Sequence, residues 1–207
     1  NPNNSAVLTF PTGAGKSTLA ELKIASSLFN NKSVIYIVPT HALEDQVNEN
    51  LKKLFSDFNI SQSINIDSEY TEIGLEKLAE INVMTPERCL SLLGVKQELF
   101  NEIGLIVFDE FHLIHGKQNS IDRRNLDAMY CLLLLLNKKS EADYLLISAM
   151  VENGGEIAEW LSQITGRLCF SFNSSWKPTR QMQGCIIYDK NQVNDLRVLL
   201  NSERQKN

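Results

Sequence analysis

The sequence predicts an α/β fold in which helices cover both faces of a mainly parallel sheet, a three-layer αβα sandwich. Short apolar runs rich in Val, Ile and Leu alternate along the chain with amphipathic segments of helical period. Such short apolar runs suit strands that are buried on both faces of a sheet. With 207 residues, 43% of them hydrophobic and 22% charged, the chain can bury a core without disulfides or metal clips.

Eight apolar runs are predicted as strands. The run at 64–66 carries the weakest signal because it has only three residues. The runs at 169–172 and 185–188 come after the main strand–helix alternation and are separated by Trp176-Lys177-Pro178. The complete set is 6–10, 34–38, 64–66, 81–84, 105–108, 144–147, 169–172 and 185–188.

Three stripes of apolar residues at helical spacing are predicted as helix faces that belong to the core. The longest apolar run, residues 128–136, falls well short of the about 20 residues that a membrane helix needs. We interpret it as part of a buried helix and expect no membrane partner. The stripes are Leu22, Ala25 and Phe29; Leu43, Val47, Leu51, Leu54 and Phe55; and Ile157, Trp160, Leu161 and Ile164.

The chain is predicted to consist of one domain, residues 1–188, followed by a helix or linker at 189–207. The last segment is polar, and its apolar residues Val193, Leu196 and Leu200 share one helical face. The chain begins with Asn1 rather than Met, which indicates a piece of a longer protein. We expect the final segment to lead toward a further domain.

The net charge of −5 and the pI of about 5.3 exclude a generic basic coat for nucleic acid. Any contact with nucleic acid must come from a local patch or from backbone amides.

The chain has four cysteines, and none of them form a CxxC pair. They are Cys89, Cys131, Cys169 and Cys185. They are predicted as buried, reduced thiols of a cytoplasmic protein (nuclear in a eukaryote), and neither a disulfide nor a zinc site is expected.

Polar, chemically active segments directly follow five of the predicted strands. In a parallel sheet all strand carboxyl ends lie on one edge, where ligands bind. We therefore expect these five segments to converge in space. They are PTGAGKST after residue 10, PTH after 38, TPER after 84, DEFH after 108 and SAM after 147.

The segment PTGAGKST is typical of a phosphate-binding loop between a strand and a helix. Its glycines permit left-handed backbone angles, and the following helix N-terminus attracts anions. Lys16 would reach the β- and γ-phosphates of a nucleotide, and the Ser17 hydroxyl would hold Mg²⁺. The strict pattern places Gly where this chain has Phe10. The alternative is a glycine turn before an exposed lysine. The proposed nucleotide contacts are Thr12, Gly13, Ala14, Gly15, Lys16, Ser17 and Thr18.

Asp109 and Glu110 end the buried run at 105–108. Two carboxylates there are costly unless they meet a cation or water. Asp109 is predicted to coordinate Mg²⁺ through water, and Glu110 to orient and deprotonate an attacking water. The alternative is an acidic pair that faces solvent; the phosphate loop upstream disfavours it.

Taken in order, PTGAGKST, VPTHALEDQ, TPER, DEFH and SAM resemble motifs I, Ia, Ib, II and III of superfamily-two helicases. DEFH is similar to the DExH members, and GEIAEWLS followed by WKP resembles the Ski-like branch. The resemblance implies a RecA-like first motor domain that binds ATP and one nucleic-acid strand. It also implies a second RecA-like domain elsewhere in the same protein, with arginines that reach the γ-phosphate.

The same resemblance implies roles for further residues. Thr40 and Thr85 lie in motifs that touch the sugar-phosphate backbone, and Arg88 would contact a phosphate, although Arg88 also fits a solvated helix start. His112 would couple the ATP site to motif III, where Ser148 lies, although a structural hydrogen bond explains His112 equally well. Met150 replaces the usual Thr of motif III and brings no hydroxyl.

Three functions are consistent with some or all of these motifs. The first is an ATP-dependent helicase or translocase. Its chemistry is carried by Lys16, Ser17, Asp109 and Glu110, with Lys16 and Glu110 as the catalytic residues. The second is an ATP-switched clamp on nucleic acid that does not unwind duplexes, which Met150 suggests. The third, a P-loop kinase or another nucleoside triphosphatase, explains the phosphate loop and the acidic pair but leaves TPER and SAM without a role.

Overall fold

The computed structural model describes residues 4–58, 60, 77–114, 123–149 and 153–174, in which strands and helices alternate. Two short 3₁₀ turns, Gln97–Phe100 and Phe111–Ile114, flank the fourth strand. The strands are β1 Ser5–Thr9, β2 Ser33–Ile37, β3 Ile81–Met84, β4 Ile103–Phe108, β5 Asp143–Ser148 and β6 Cys169–Asn173. The helices are α1 Lys16–Phe29, α2 His41–Leu54, α3 Pro86–Val95, α4 Arg123–Lys138 and α5 Gly154–Thr165.

The six strands form one sheet in the order β3-β2-β4-β5-β1-β6, and every neighbouring pair is parallel. This confirms the predicted α/β architecture with a parallel central sheet. The predicted strands at 64–66 and 185–188 and the terminal helix at 189–207 lie outside the described residues.

Two hydrophobic clusters, one on each face of the sheet, form the core. One cluster joins β-strand side chains to α1 and α2, with Ile24 fully buried and Leu51 nearly so. The other joins the opposite face to α3, α4 and α5, where Cys89, Leu135 and Leu161 are fully buried. The molecule therefore has the three layers of the predicted sandwich.

The prediction that the apolar stripes belong wholly to the core is wrong for several positions. In α1 the sheet contacts come from Ala20 and Ile24, whereas Leu22 and Phe29 are 63% and 84% exposed. These two residues line an apolar groove of about 530 Å³ with Leu54 and Phe58. The sheet covers only one side of α1. Leu22 and Phe29 lie on another side of this helix and face the end of α2 instead.

The run at 128–136 is likewise only partly buried. It forms most of α4, and its inward positions, such as Cys131 and Leu135, are fully buried. Met129, Tyr130 and Leu133 point outward and are 46%, 58% and 39% exposed. Trp160 and Ile164 of α5 are also exposed, because a helix packed on one side of a sheet covers only part of its circumference. Among the described residues, no helix is long and apolar enough to cross a membrane.

Two of the four cysteines match the predicted buried thiols. Cys89 and Cys131 are fully buried and reduced, and the Cys131 thiol together with burial raises the pKa of Cys89. Cys169 is only half-buried, at the start of the edge strand β6, where burial raises its pKa to about 11. Cys185 lies outside the described residues.

Helix α5 lies close to the strand end at β1 because its first residue is glycine. A Cβ atom at Gly154 would lie 2.8 Å from Thr9 Cγ2 and 3.2 Å from Ser171 Oγ. Thr9 is buried, and its hydroxyl donates to the Phe172 carbonyl oxygen at 3.3 Å. A β-branched side chain held in this way has little freedom to move.

Replacing Gly154 with alanine is therefore expected to destabilise the fold, by about 1–3 kcal/mol as in other overpacked sites. Gly155→Ala is the matched control, since a Cβ atom there meets no atom within 4 Å. Alanine at that helical position should be neutral or stabilising, by up to about 1 kcal/mol. Thermal or urea unfolding of the two variants measures the difference, and equal stabilities would contradict the packing argument.

Candidate functional site

The carboxyl ends of five strands are tied together into one continuous edge. The Asp109 amide donates to the Ile37 carbonyl oxygen at 2.9 Å, which joins the ends of β4 and β2. Val38 N–H donates to Met84 O at 3.0 Å, which joins β2 to β3. Phe10 N–H donates to Ser148 O at 3.2 Å, which joins β1 to β5. The β4–β5 ladder joins these two groups of strands, so the five polar segments converge as predicted.

The loop between β1 and α1 depends on two glycines in the left-handed region. Gly13 has φ of 81° and Gly15 has φ of 83°. A Cβ atom at Gly15 would meet no atom within 4 Å, so the backbone angle, not crowding, requires glycine there. Gly15 caps the N-terminus of α1. Thr12, Gly13, Gly15, Ser17 and Thr18 are exposed, whereas Ala14 and Lys16 are half-buried.

Lys16 bends back over this loop. Its Nζ donates to the carbonyl oxygens of Phe10 at 3.0 Å and Pro11 at 3.4 Å. Neutral carbonyl groups bind an ammonium less strongly than anions do. The side chain therefore holds a positive charge at the exposed loop that an anionic ligand could engage.

Asp109 is fixed from two directions. Its Oδ1 accepts the Glu110 amide hydrogen at 2.9 Å, and its Oδ2 accepts the Tyr36 hydroxyl hydrogen at 3.1 Å. Burial raises the pKa of Asp109, and nearby Glu110 raises it further, while the two hydrogen bonds and the Lys16 charge partly oppose the shift. Burial and Asp109 also raise the pKa of Tyr36.

Asp143, at the amino ends of the strands, is a buried carboxylate whose charge is balanced by two cations. Its carboxylate lies 2.5 Å from Lys23 Nζ and 2.7 Å from Arg167 Nη2. Asp109 forms no salt bridge with any of the residues that the structure describes. A carboxylate with neutral donors on the protein side can still accept a cation from the open side.

Glu110 occupies an unusual backbone conformation. Its φ of 48° lies in the left-handed region, which costs a residue with a side chain about 1–3 kcal/mol and is typical of functional positions. Its Oε2 is shielded from solvent and lies beside the His112 ring. The neighbouring His112 Nδ1 lies 3.1 Å from it.

His112 connects the acidic pair to the end of β5. Its Nδ1 lies 3.2 Å from Ser148 Oγ as well as 3.1 Å from Glu110 Oε2. A single ring nitrogen hydrogen can serve only one of these oxygens well at a time. The arrangement therefore links Glu110 and Ser148 through one imidazole. Met150 lies outside the described residues.

Thr40 and Thr85 are helix N-caps. The Thr40 hydroxyl accepts the Leu43 amide hydrogen at 3.4 Å, and Thr85 accepts that of Arg88 at 3.4 Å. Such caps satisfy amides that the helix leaves unpaired. Thr40 is exposed, whereas Thr85 is 2% exposed, so in this conformation Thr85 offers a ligand little side-chain surface.

Arg88 is joined to a buried glutamate from the neighbouring helix. Its Nη1 lies 3.2 Å from Glu44 Oε1, and the exposed His41 places Nδ1 3.0 Å from Glu44 Oε2. The Glu44 side chain is 3% exposed and that of Arg88 is 20% exposed. This ion pair ties the N-terminus of α2 to that of α3.

Sequence reasoning did not single out Tyr36 or Glu44. Tyr36 lies within a predicted strand, and it is 4% exposed. Only the pairing of β2 with β4 brings its hydroxyl to Asp109. The polar Tyr in an otherwise apolar run, Val34 to Val38, is the one signal that could have indicated a partner.

The edge has the chemistry of a site for a polyphosphate and a hard divalent cation. The loop supplies the N-terminus of α1 and an ammonium, and Ser17 and Asp109 supply oxygen ligands, which Mg²⁺ prefers. The described residues contain no cluster of three or more His, Cys, Asp or Glu side chains that could hold a metal alone. Mg²⁺ commonly binds through one or two protein oxygens together with phosphates and water, so the residues fit this ion.

The chain is similar in sequence to a known protein family and to several known proteins. The family described as DEAD/DEAH box helicase matches residues 2–155. The ATP-dependent RNA helicase mtr4 of Schizosaccharomyces pombe is 27% identical over 175 residues, which is 84% of this chain and 14% of that protein. The Hachiman protein HamB of Bacillus cereus is 27% identical over 197 residues, 93% of this chain and 17% of that protein.

A third relative, the ATP-dependent DNA helicase Hel308 of Methanocaldococcus jannaschii, is 28% identical over 168 residues, 77% of this chain and 13% of that protein. The chain thus spans 13 to 17% of the length of these three relatives. The crystal structure of the DUF1998 helicase MrfA is similar with a TM-score of 0.61 at 20% identity, covering 83% of this chain and 28% of that one. This likeness concerns the fold.

Replacing Asp109 with asparagine is expected to raise the thermal stability of the ligand-free protein at pH 7. Burial raises the pKa of Asp109, which means that the folded state disfavours the ionised carboxylate. The neutral amide of asparagine avoids this cost wherever Asp109 is ionised. As pH falls toward the ordinary carboxyl pKa, about 3.9, the wild type is protonated and the difference should shrink. Melting temperatures across this range measure it; a variant less stable at pH 7 would refute the desolvation argument.

Proposed function

The chain belongs to the DEAD/DEAH box helicase family, and on that premise we propose that it is the ATP-binding motor domain of a nucleic-acid helicase or translocase. One observation carries the proposal. The glycine loop and the Asp109–Glu110 pair, far apart in sequence, lie on one sheet edge with only β5 between their strands. The Lys16 charge there acts on Asp109.

In this proposal ATP binds across the loop at residues 12–18. The amides at the start of α1, which follow the left-handed Gly15, donate to phosphate oxygens, and the α1 N-terminus adds positive potential. Lys16 exchanges the carbonyl oxygens of Phe10 and Pro11 for the β- and γ-phosphates, which as anions bind an ammonium more strongly.

Mg²⁺ is proposed as the partner of ATP, held by the Ser17 hydroxyl and, through water, by Asp109. When bound, the ion neutralises phosphate charge that develops during hydrolysis. The chain's own contribution is to hold the Asp109 carboxylate ready, with one oxygen on the Glu110 amide and the other on Tyr36. A carboxylate retains further lone pairs beyond these two bonds.

Glu110 is proposed as the general base that orients and deprotonates the attacking water. Its left-handed φ of 48° supports a functional role, because backbone strain of this kind is concentrated at functional sites. His112 lies between Glu110 and Ser148. We propose that this imidazole reports the state of Glu110 to the end of β5.

One nucleic-acid strand is proposed to lie along the N-termini of α2 and α3. Exposed amides at helix N-termini and the Arg88 guanidinium bind phosphates without reading sequence, and Thr40 is exposed for such a contact. Thr85 supports the strand site as the cap that fixes the Arg88 amide. A second RecA-like domain of the same protein is proposed to complete the motor.

Glu110→Gln in the intact protein should retain Mg²⁺-ATP binding and lower turnover by about 10²–10⁴-fold, the usual contribution of a general base. Lys16→Ala should weaken binding as well as turnover. Glu98→Gln, an exposed glutamate in the turn before β4, is the control and should match the wild type. Nucleic-acid-stimulated ATPase and nucleotide binding are measured. Wild-type turnover by Glu110→Gln would refute the general-base assignment.

Strand displacement, measured beside this ATPase, decides between unwinding and a clamp. The relatives are named as helicases, which favours unwinding. Stimulated hydrolysis without displacement of RNA or DNA duplexes would favour the clamp instead.

Arg88→Ala should weaken single-strand binding and lower its salt dependence by about 0.7 in the slope of log K against log salt, the value for one phosphate contact. It should also destabilise the fold, since Glu44 would lose the guanidinium that lies 3.2 Å away. The double variant Glu44→Ala with Arg88→Ala should recover much of the melting temperature but not the binding. This separates a strand contact from a structural ion pair.

The control for this pair is Lys53→Ala, an exposed residue in the last turn of α2, far from the helix N-terminus. It should change neither melting temperature nor salt slope. An unchanged affinity in Arg88→Ala would remove Arg88 from the strand site.

A further inference from the structure

We propose that Tyr36 is a positioning residue that orients Asp109 toward the Mg²⁺–nucleotide complex. The inference rests on the proposed function, and it concerns a residue outside the polar segments that follow the strands. Its geometric basis is the hydrogen bond from the Tyr36 hydroxyl to Asp109 Oδ2 at 3.1 Å.

The sheet register places Tyr36 where it can act on Asp109. Tyr36 pairs with Val107 across the parallel β2–β4 ladder. Side chains two residues apart on a strand share a face, so Val107 and Asp109 lie on the same side of β4. Strand side chains lean along the strand direction, and the Tyr36 ring extends toward the carboxyl edge until its hydroxyl meets the carboxylate.

The two donors to Asp109 come from different parts of the fold. The Glu110 amide on Oδ1 is local, one residue along the chain, whereas Tyr36 belongs to the neighbouring strand. A single hydrogen bond leaves the carboxylate free to rotate about its side-chain bonds, whereas two bonds on opposite oxygens define its plane. Tyr36 therefore ties the orientation of the carboxylate to the rigid sheet.

The ring of Tyr36 alone does not require a hydroxyl. It is 4% exposed and packs with apolar side chains of the α1–α2 face, where phenylalanine would fit as well. Burying a hydroxyl is costly unless it is hydrogen-bonded. The four other residues of the strand segment from Val34 to Val38 are all apolar. The Tyr36 hydroxyl is therefore a specific feature, and it is directed at Asp109.

Tyr144 supplies a matched comparison within the same sheet. It is fully buried in β5, and its hydroxyl donates to the Lys139 carbonyl oxygen at 3.1 Å. That bond lies at the amino edge of the sheet, away from the candidate site. Tyr36→Phe and Tyr144→Phe thus remove the same kind of hydrogen bond from the same kind of position, and only one of them touches the acidic pair.

The experiment measures binding of a non-hydrolysable ATP analogue to the intact protein by calorimetry, with Mg²⁺ and with a chelator. In the wild type, Mg²⁺ should tighten binding. Tyr36→Phe should lower this tightening by about 10-fold or more, as for other partners of metal ligands, while the Mg²⁺-free affinity stays unchanged. Tyr144→Phe should leave both affinities unchanged.

A second readout uses Mn²⁺ in place of Mg²⁺. Electron paramagnetic resonance should show weaker Mn²⁺ binding to the Tyr36→Phe–nucleotide complex than to the wild-type or Tyr144→Phe complex. Melting temperatures should fall by similar amounts in the two variants, and binding is measured well below both midpoints. The comparison then holds fold stability constant.

The possible outcomes separate the inference from the function on which it rests. If Mg²⁺ tightens binding equally in the wild type and in Tyr36→Phe, Tyr36 merely satisfies a buried carboxylate and the inference is wrong. If the wild type binds nucleotide with no effect of Mg²⁺, the proposed magnesium site fails and the inference fails with it. Loss confined to Tyr36→Phe supports the inference.

Discussion

The site depends on the parallel alignment of the six strands. Because every strand runs in the same direction, polar segments that are scattered over about two thirds of the sequence leave the core at one edge. Three backbone hydrogen bonds, from Asp109, Val38 and Phe10, join the ends of β4 and β2, β2 and β3, and β1 and β5, and the β4–β5 ladder joins the two groups. Without this constraint the glycine loop and the acidic pair would be unrelated features of the chain.

Three residues at this edge have environments or conformations that are unusual for a protein surface. Asp109 is a partly desolvated carboxylate with neutral donors, Glu110 has a left-handed backbone and Lys16 is bent onto carbonyl groups. Such features persist only when the surrounding structure over-determines them. Here the buried strands supply that rigidity, and the ion pairs of Asp143 at the opposite edge show how a carboxylate is satisfied when no ligand is expected.

The two halves of the edge differ in how their charges are arranged. At the ends of β1 and β4, Lys16 contacts neutral carbonyl oxygens and Asp109 accepts from neutral donors. Around β2 and β3 the Glu44 carboxylate is paired with Arg88 and with the ring of His41. A strand phosphate that engages Arg88 therefore competes with a carboxylate already in place, which makes the affinity of this half depend on the ion pair as well as on the ligand.

The sequence by itself determined the architecture and the convergence of the polar segments, because buried parallel strands leave a strong local record in short Val-, Ile- and Leu-rich runs. It also placed Lys16, Ser17, Asp109 and Glu110 at one edge. Tertiary structure alone decided which apolar stripes face solvent, as Leu22 and Phe29 do, since periodicity defines a face without naming its neighbour. It also decided that Tyr36 meets Asp109 and Glu44 meets Arg88. Strand register and helix placement create these pairs, and neither can be inferred from the local sequence.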